Sequence, residues 1–279
     1  MFCRVHCTHQ SLFIVENEIS SEMTDLKYSG KLAVFYQGEG DRQAHMALAE
    51  RLVVPVYQTI DKSTPETFFL CWRDGCLKLL DKELLKKGGL TVVIAPRPGE
   101  QRSWPAPKKG ALAQALGRKT RTIIDATTGW GQDSLHMFRM AYELRCIERS
   151  PVMVELLDDG FKRLAQLDWV KNIQMTIPEL IPGNAIEVLA KLDEKPECIY
   201  IDPMFPPKRK KSALAKKSMT VLRDLLGNDE DKEQLFEIAF QTATKRVVVK
   251  SPDYAEPLAG KPNESFSGKL LRYDMYLKG

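Results

Sequence analysis

The chain has 279 residues, 43% hydrophobic and 28% charged, a balance that excludes wholesale disorder and allows one large domain or one ordinary domain with a smaller companion. A formal net charge of +4 is only mildly basic and singles out no class of partner. Six cysteines in no disulfide framework, and no run near the roughly 20 apolar residues of a membrane span, lead us to expect a soluble cytoplasmic protein with no membrane association.

Residues 1–24 contain too short an apolar run for a signal peptide and read as a poorly ordered leader. Cys3, His6, Cys7 and His9 are metal-ligand types, but zinc sites pair two such clusters across a longer loop, and no second cluster follows. No metal is expected. Residues 25–108 read as a small N-terminal α/β domain with a connecting loop. "KLAVFYQ" alternates as a strand, and "DRQAHMALAERL" has helical spacing. "TFFLCWRDGCLKLL" gives two strands around Asp74 and Gly75, and "LTVVIAP" gives one more. The loop "PRPGEQRSWPAPKKG" follows, and no chemistry is legible in this unit.

From residue 109 to 279 strands and helices alternate. "KGALAQALG" is helical, "RTIIDATTGWGQDSLHMFRM" reads as strand, glycine turn and helix, and "YELRCIERSPVMVELLDDGFKRLAQL" repeats that unit. A short strand in "IQMTI" or its continuation precedes the helix of "PGNAIEVL". "ECIYIDPMFPP" is a strand ending in a rigid loop, "DKEQLFEIAFQTA" a helix and "KRVVVKSPDY" another strand. Such alternation predicts an α/β fold with a mainly parallel sheet covered on both faces and ligands at the carboxyl ends of its strands.

Three successive strand ends carry the residue types that hold an adenosine moiety. Gly129 and Gly131 sit between a strand and a helix, where backbone must approach a ligand closely, although a tight structural turn accounts equally well for that pair alone. Glu148 ends the next strand about 20 residues on, the position of a ribose-binding carboxylate; an ion pair with Arg145 or Arg149 is the plainer reading. Asn184 and Ala185 open a helix, and Asn184 is also a natural N-cap. Ser134 stands where a dinucleotide turn has its third glycine, and no phosphate loop occurs, so a dinucleotide oxidoreductase is disfavoured. S-adenosylmethionine, with a positive sulfonium and no phosphate, suits Asp125, Asp133, Glu148 and Asp202 better.

The tract "YIDPMFPPKRKK" supplies the reaction end. An exocyclic amine of a nucleobase is a poor nucleophile, so a site that methylates it must hold its N–H groups on acceptors. The Asp202 carboxylate and the Pro203 carbonyl are such acceptors, and Phe205 is placed to stack on the base. Lys208, Arg209, Lys210, Lys211, Lys216 and Lys217 follow, a solvated face in most proteins and here an expected phosphate contact. Lys250, Asp253 and Tyr254 end the neighbouring strand at the same mouth.

"DATTGWGQDS", "IERSPVMVELLDDG", "YIDPMFPPKRKKSALAKKSM" and "ATKRVVVKSPDYAEPL" together resemble the ribosomal RNA small subunit methyltransferase J family. The resemblance implies a Rossmann-like class I S-adenosylmethionine-dependent methyltransferase that methylates N2 of one guanosine near the 3′ end of 16S rRNA in the small ribosomal subunit. It also implies cofactor contacts at Gln132, Asp133, Glu148, Arg149, Asn184, Ala185 and Asp202. Gln132 replaces the family's usual arginine, and Asn184-Ala185 its serine pair. Two other readings compete: a methyltransferase acting on an exocyclic amine of another RNA, DNA or protein, and an inert RNA-binding ribosome-assembly protein.

Overall fold

The computed structural model describes residues 28, 30–38, 40–86, 88–95, 104–173, 175–205, 224–225, 231–268 and 270–279. The leader with Cys3, His6, Cys7 and His9 lies outside the described residues, as do Lys208, Arg209, Lys210, Lys211, Lys216 and Lys217.

The first sheet is built from β1 (Leu32–Phe35), β2 (Val56–Tyr57), β3 (Phe68–Arg73) and β4 (Cys76–Asp81), in the order β2-β1-β3-β4, with α1 (Arg42–Leu52) between β1 and β2. Asp41 caps α1 by accepting the Gln43 N–H at 2.8 Å. β1 runs parallel to both neighbours, whereas β3 and β4 form a hairpin. Asp74 (φ 53°) and Gly75 (φ 71°) supply the two positive φ angles that a tight two-residue connection needs. The strand expected in "LTVVIAP" does not extend: Leu90 makes a single antiparallel bridge to Leu79, and the residues after it pack as an irregular segment. Val92 explains the difference. It is fully buried against Gly160 of a helix, so its β-branched side chain serves packing rather than a ladder.

The second sheet follows α2 (Ala111–Leu116). In chain order its elements are β5 (Thr122–Asp125), α3 (Gln132–Arg139), β6 (Glu143–Glu148), α4 (Pro151–Ala165), α5 (Asp168–Lys171), β7 (Glu179–Pro182) and α6 (Ala185–Ala190). β8 (Cys198–Ile201), α7 (Lys232–Thr242), β9 (Arg246–Pro252), β10 (Glu264–Ser267) and β11 (Leu271–Leu277) complete it. The seven strands lie in the order β10-β11-β9-β8-β5-β6-β7; the five from β9 to β7 are parallel, and β11 and β10 close one edge antiparallel. β7 thus falls on the continuation of "IQMTI" rather than on it.

This order determines where a ligand can sit. From β5 the chain winds outward to β6 and β7, then crosses back to place β8 on the other side of β5. The crevice between the carboxyl ends of β5 and β8 is the point where the winding reverses, and open α/β sheets bind ligands at such points. Alternate side chains of the central strands enter opposite layers. Ile123, Cys198, Tyr200 and Val248 pack with α2, α3 and α4; Ile124, Ile199, Ile201, Val247 and Val249 pack with α6 and α7. All are essentially buried, and each large aliphatic one contributes about 1.5–3 kcal/mol.

The two sheets share one core layer. Leu32, Val34, Leu70, Leu77 and Leu79 of the first sheet belong to the same cluster as Val152, Met153, Leu156 and Leu157 of α4. Polar contacts reinforce that wall: Arg51 holds Glu155 through two hydrogen bonds of 2.7 and 2.8 Å, and Arg163 donates to the Val92 carbonyl at 3.0 Å.

Candidate active site

Asp125 ends β5 and is 1% exposed, beneath the turn that follows it. Its carboxylate accepts the Thr127 N–H at 3.1 Å and the Ser134 hydroxyl at 2.5 Å. Burial pushes its carboxyl up to about 7; the two hydrogen bonds oppose that shift, and the charges of Asp133 and Asp202 add to it.

Above it the glycine turn passes through positive φ at Gly129 (53°) and Gly131 (67°), and Gly131 opens α3. A Cβ on Gly131 would lie 2.9 Å from Leu157 Cδ2, the tip of a side chain that can shift, so it is the positive φ that calls for glycine here. Glu148, at the end of β6, is 7% exposed and clasps this turn, accepting the Gly129 N–H at 2.8 Å and the Ser150 N–H at 2.7 Å. A carboxylate accepts about four hydrogen bonds, so those two do not exhaust its chemistry. Arg149 reaches instead to Asp231, at 3.2 Å. Asn184 caps α6 by accepting the Ile186 N–H at 2.9 Å, and Ala185 is buried beside it.

The strand ends are sewn into one rim. The Asp202 N–H donates to Thr127 Oγ1 at 2.6 Å, the Thr128 hydroxyl to the Ile147 carbonyl at 2.9 Å, and the Gly183 N–H to the Glu148 carbonyl at 2.9 Å. β8, β5, β6 and β7 are therefore registered to one another at the end where a ligand would lie. Neither threonine stood out in the sequence, because their role depends on which strands become neighbours.

At the reaction end the ammonium group of Lys250, from β9, lies 2.6 Å from Asp133 Oδ2 and 2.7 Å from Asp202 Oδ2. The Tyr200 hydroxyl donates to the same Asp133 oxygen at 2.7 Å. Burial opposes the charge on Lys250, but Asp202 and Asp133 outweigh it and hold its pKa above the ordinary lysine value; burial also raises that of Tyr200. The lysine is thus a permanent cation that fixes two carboxylates. Pro203 and Phe205 follow directly, and Lys232 lies 5.2 Å from the centre of the Phe205 ring. Tyr254, at the same strand end, is exposed. The sequence placed Lys250 at this mouth without a role, because a lysine at a strand end carries no local signal of its partners.

Comparison with known proteins identifies the chain's relatives. Residues 55–278 match a family model described as "Putative SAM-dependent methyltransferase". The ribosomal RNA small subunit methyltransferase J of Shewanella amazonensis is 37% identical over 221 residues, 76% of this chain and 87% of the relative. That of Thioalkalivibrio sulfidiphilus is 36% identical over 257 residues, 89% of this chain and 98% of the relative. Among solved structures, a SAM-dependent methyltransferase from Neisseria gonorrhoeae superposes with a TM-score of 0.63 at 25% identity, covering 88% of this chain and 96% of that one.

The donor set fits S-adenosylmethionine. Among the described residues the carboxylates of Asp133, Glu148 and Asp202 gather at these strand ends, with Lys250 bridging two of them, a donor set that suits a positive sulfonium better than a pyrophosphate. No helix among the described residues is long and apolar enough to cross a membrane.

Proposed function

The chain belongs to the ribosomal RNA small subunit methyltransferase J family of S-adenosylmethionine-dependent methyltransferases, and from that premise we propose that it methylates N2 of one guanosine near the 3′ end of 16S rRNA. The observation that carries the reading is the Asp202 carboxylate, held by Lys250 beside the fold's winding reversal and followed at once by Pro203 and Phe205. A guanine N2 amine carries two N–H groups and needs acceptors, not a strong base. The Asp202 carboxylate and the Pro203 carbonyl accept those hydrogen bonds, and Phe205 stacks on the base.

Bound S-adenosylmethionine supplies an electrophilic methyl group on a sulfonium. The residues that hold it in this reading are Gly129, Gly131, Gln132 and Asp133 at the turn, Glu148 and Arg149 at the end of β6, Asn184 and Ala185 at α6, and Asp202. Asp125 shapes the turn from below. The N2 proton becomes acidic as nitrogen gains its new bond, so it leaves to Asp202 or water late in the reaction. Lys250 is a positioning residue. It holds the Asp202 carboxylate in place, so that little reorganisation remains when the base arrives.

Lys208, Arg209, Lys210, Lys211, Lys216 and Lys217 serve as phosphate contacts in this proposal, setting register on the RNA without reading sequence. The substrate places the protein in the cytoplasm, on the small subunit or its rRNA. The test offers methyl-labelled cofactor together with small subunits, free 16S rRNA, tRNA and ribosomal proteins as separate acceptors. Label in 16S rRNA or the small subunit supports the reading, and label confined to tRNA or protein overturns it.

A further inference from the structure

The N-terminal sheet contains a second winding reversal. The chain leaves β1 through α1 to β2 on one side and returns to β3 on the other, with both neighbours parallel to β1. At the carboxyl ends of β1 and β2, under α1, lies an open cavity of about 270 Å³ lined by Tyr36, Arg42, His45, Met46, Val56 and Gln58. It sits where open α/β sheets take ligands, in a unit that contributes no residue to the reaction site.

The lining joins a rigid floor to a reactive rim. His45 is 1% exposed; its Nδ1 bonds the Asp41 carbonyl at 2.8 Å, and its ring is held edge-on between Tyr36 and Trp72, with centroids 4.9 and 4.8 Å away. The rim is unpaired by contrast. The Arg42 guanidinium is exposed and makes no hydrogen bond or ion pair among the described residues, and Met46 is 44% exposed. Among the described residues no carboxylate lines the cavity, and that of Asp41 is turned into the helix cap. A free cation, a phenol ring, a thioether and an amide around one opening recognise a planar aromatic base attached to a phosphate. The volume falls slightly below the roughly 300–1,000 Å³ of sites for drug-sized ligands, as a single nucleotide requires.

We infer that this pocket holds one unstacked nucleotide of the substrate RNA, its base against Tyr36 and Met46 and its phosphate on Arg42. The inference rests on the RNA substrate proposed above and gives the N-terminal sheet a part in gripping it. α1 leads from the pocket to Arg51, which grips Glu155 of α4, the helix that begins just after Glu148. The 11-residue helix α1, about 16 Å long, thus ties the pocket to the wall formed by α4.

The test measures binding of a fluorescent single-stranded RNA carrying the 16S 3′ sequence to the full chain across a salt series. Arg42→Gln, at an exposed side chain with no hydrogen-bond or ion-pair partner among the described residues, weakens binding about tenfold and lowers the salt slope by about 0.7. Tyr36→Ala also weakens binding about tenfold, through stacking, and leaves the slope unchanged. Both variants keep wild-type cofactor affinity and wild-type turnover at saturating RNA. Unchanged affinity and slope in Arg42→Gln overturn the inference, as does a loss that extends to cofactor binding. RNA that binds through Arg42 but receives no methyl group would keep the pocket and refute the proposed reaction, so the two failures are distinguishable.

Discussion

Replacing Lys250 by methionine keeps the stem and removes the charge that separates two carboxylates. Their Oδ2 atoms lie 2.6 and 2.7 Å from one nitrogen, so no more than about 5.3 Å separates them once it is gone. At an effective dielectric constant of about 20, like charges at that distance repel by about 3 kcal/mol. The Asp202 side chain is 35% exposed, and solvent screening trims the figure to about 2 kcal/mol. For a chain of this size that loss lowers Tm by roughly 4–8 °C. Turnover suffers more, because an acceptor displaced by about 1 Å costs about 100-fold. The assay pairs thermal denaturation with steady-state methylation of small subunits. Lys250→Met is expected to melt earlier and to lose about 100-fold in kcat while RNA affinity holds. Lys250→Arg, which keeps the charge, recovers most of the Tm. A Lys250→Met enzyme with wild-type Tm and turnover would refute the reasoning.

Three further outcomes are expected. Asp202→Ala abolishes turnover while RNA binding stays within a few-fold, measured by methyl transfer and filter binding; an equal collapse of both would make the residue structural. Asp125 has a folded pKa of about 7, above its unfolded value of about 3.9, so the folded state binds more protons between those limits. Its contribution is therefore fully present below about pH 4, is lost at up to about 1.4 kcal/mol per pH unit as pH rises to 7, and is level beyond. Urea titrations at several pH values should show that this component of the slope vanishes in Asp125→Asn, and an identical slope in both proteins would contradict the assignment. Gly160→Ala places a Cβ 2.5 Å from Val92 Cγ1, an overpacking worth about 1–3 kcal/mol that Val92→Ala relieves in a double-mutant cycle read by thermal melts.

The alternation of strand and helix from residue 109 was legible because each βα unit carries its own apolar period and its own turn residues, and the glycine turn and Asn184 cap formed as read. What escaped depended on strands meeting across the sheet. "LRYDMYL" gave no cue that β11 would insert antiparallel between β9 and β10, yet that pairing closes the edge beside Lys250. "LTVVIAP" has strand composition but packs as an irregular segment, since Gly160 leaves α4 bare enough for Val92 to dock directly on it. The sequence marked Asp202 as a candidate acceptor through the proline and phenylalanine that follow it. Its clamp was not, because Lys250 reaches it only through the register that sets Ile201 opposite Val249.

The central claim is a methyl group on one exocyclic amine of small-subunit RNA. Its most direct test incubates the protein with methyl-labelled S-adenosylmethionine and small subunits lacking the modification, then digests the RNA and identifies the labelled nucleoside. The account predicts N2-methylguanosine at a single position near the 3′ end of 16S rRNA. Label in any other nucleoside, or spread over many guanosines, would contradict it.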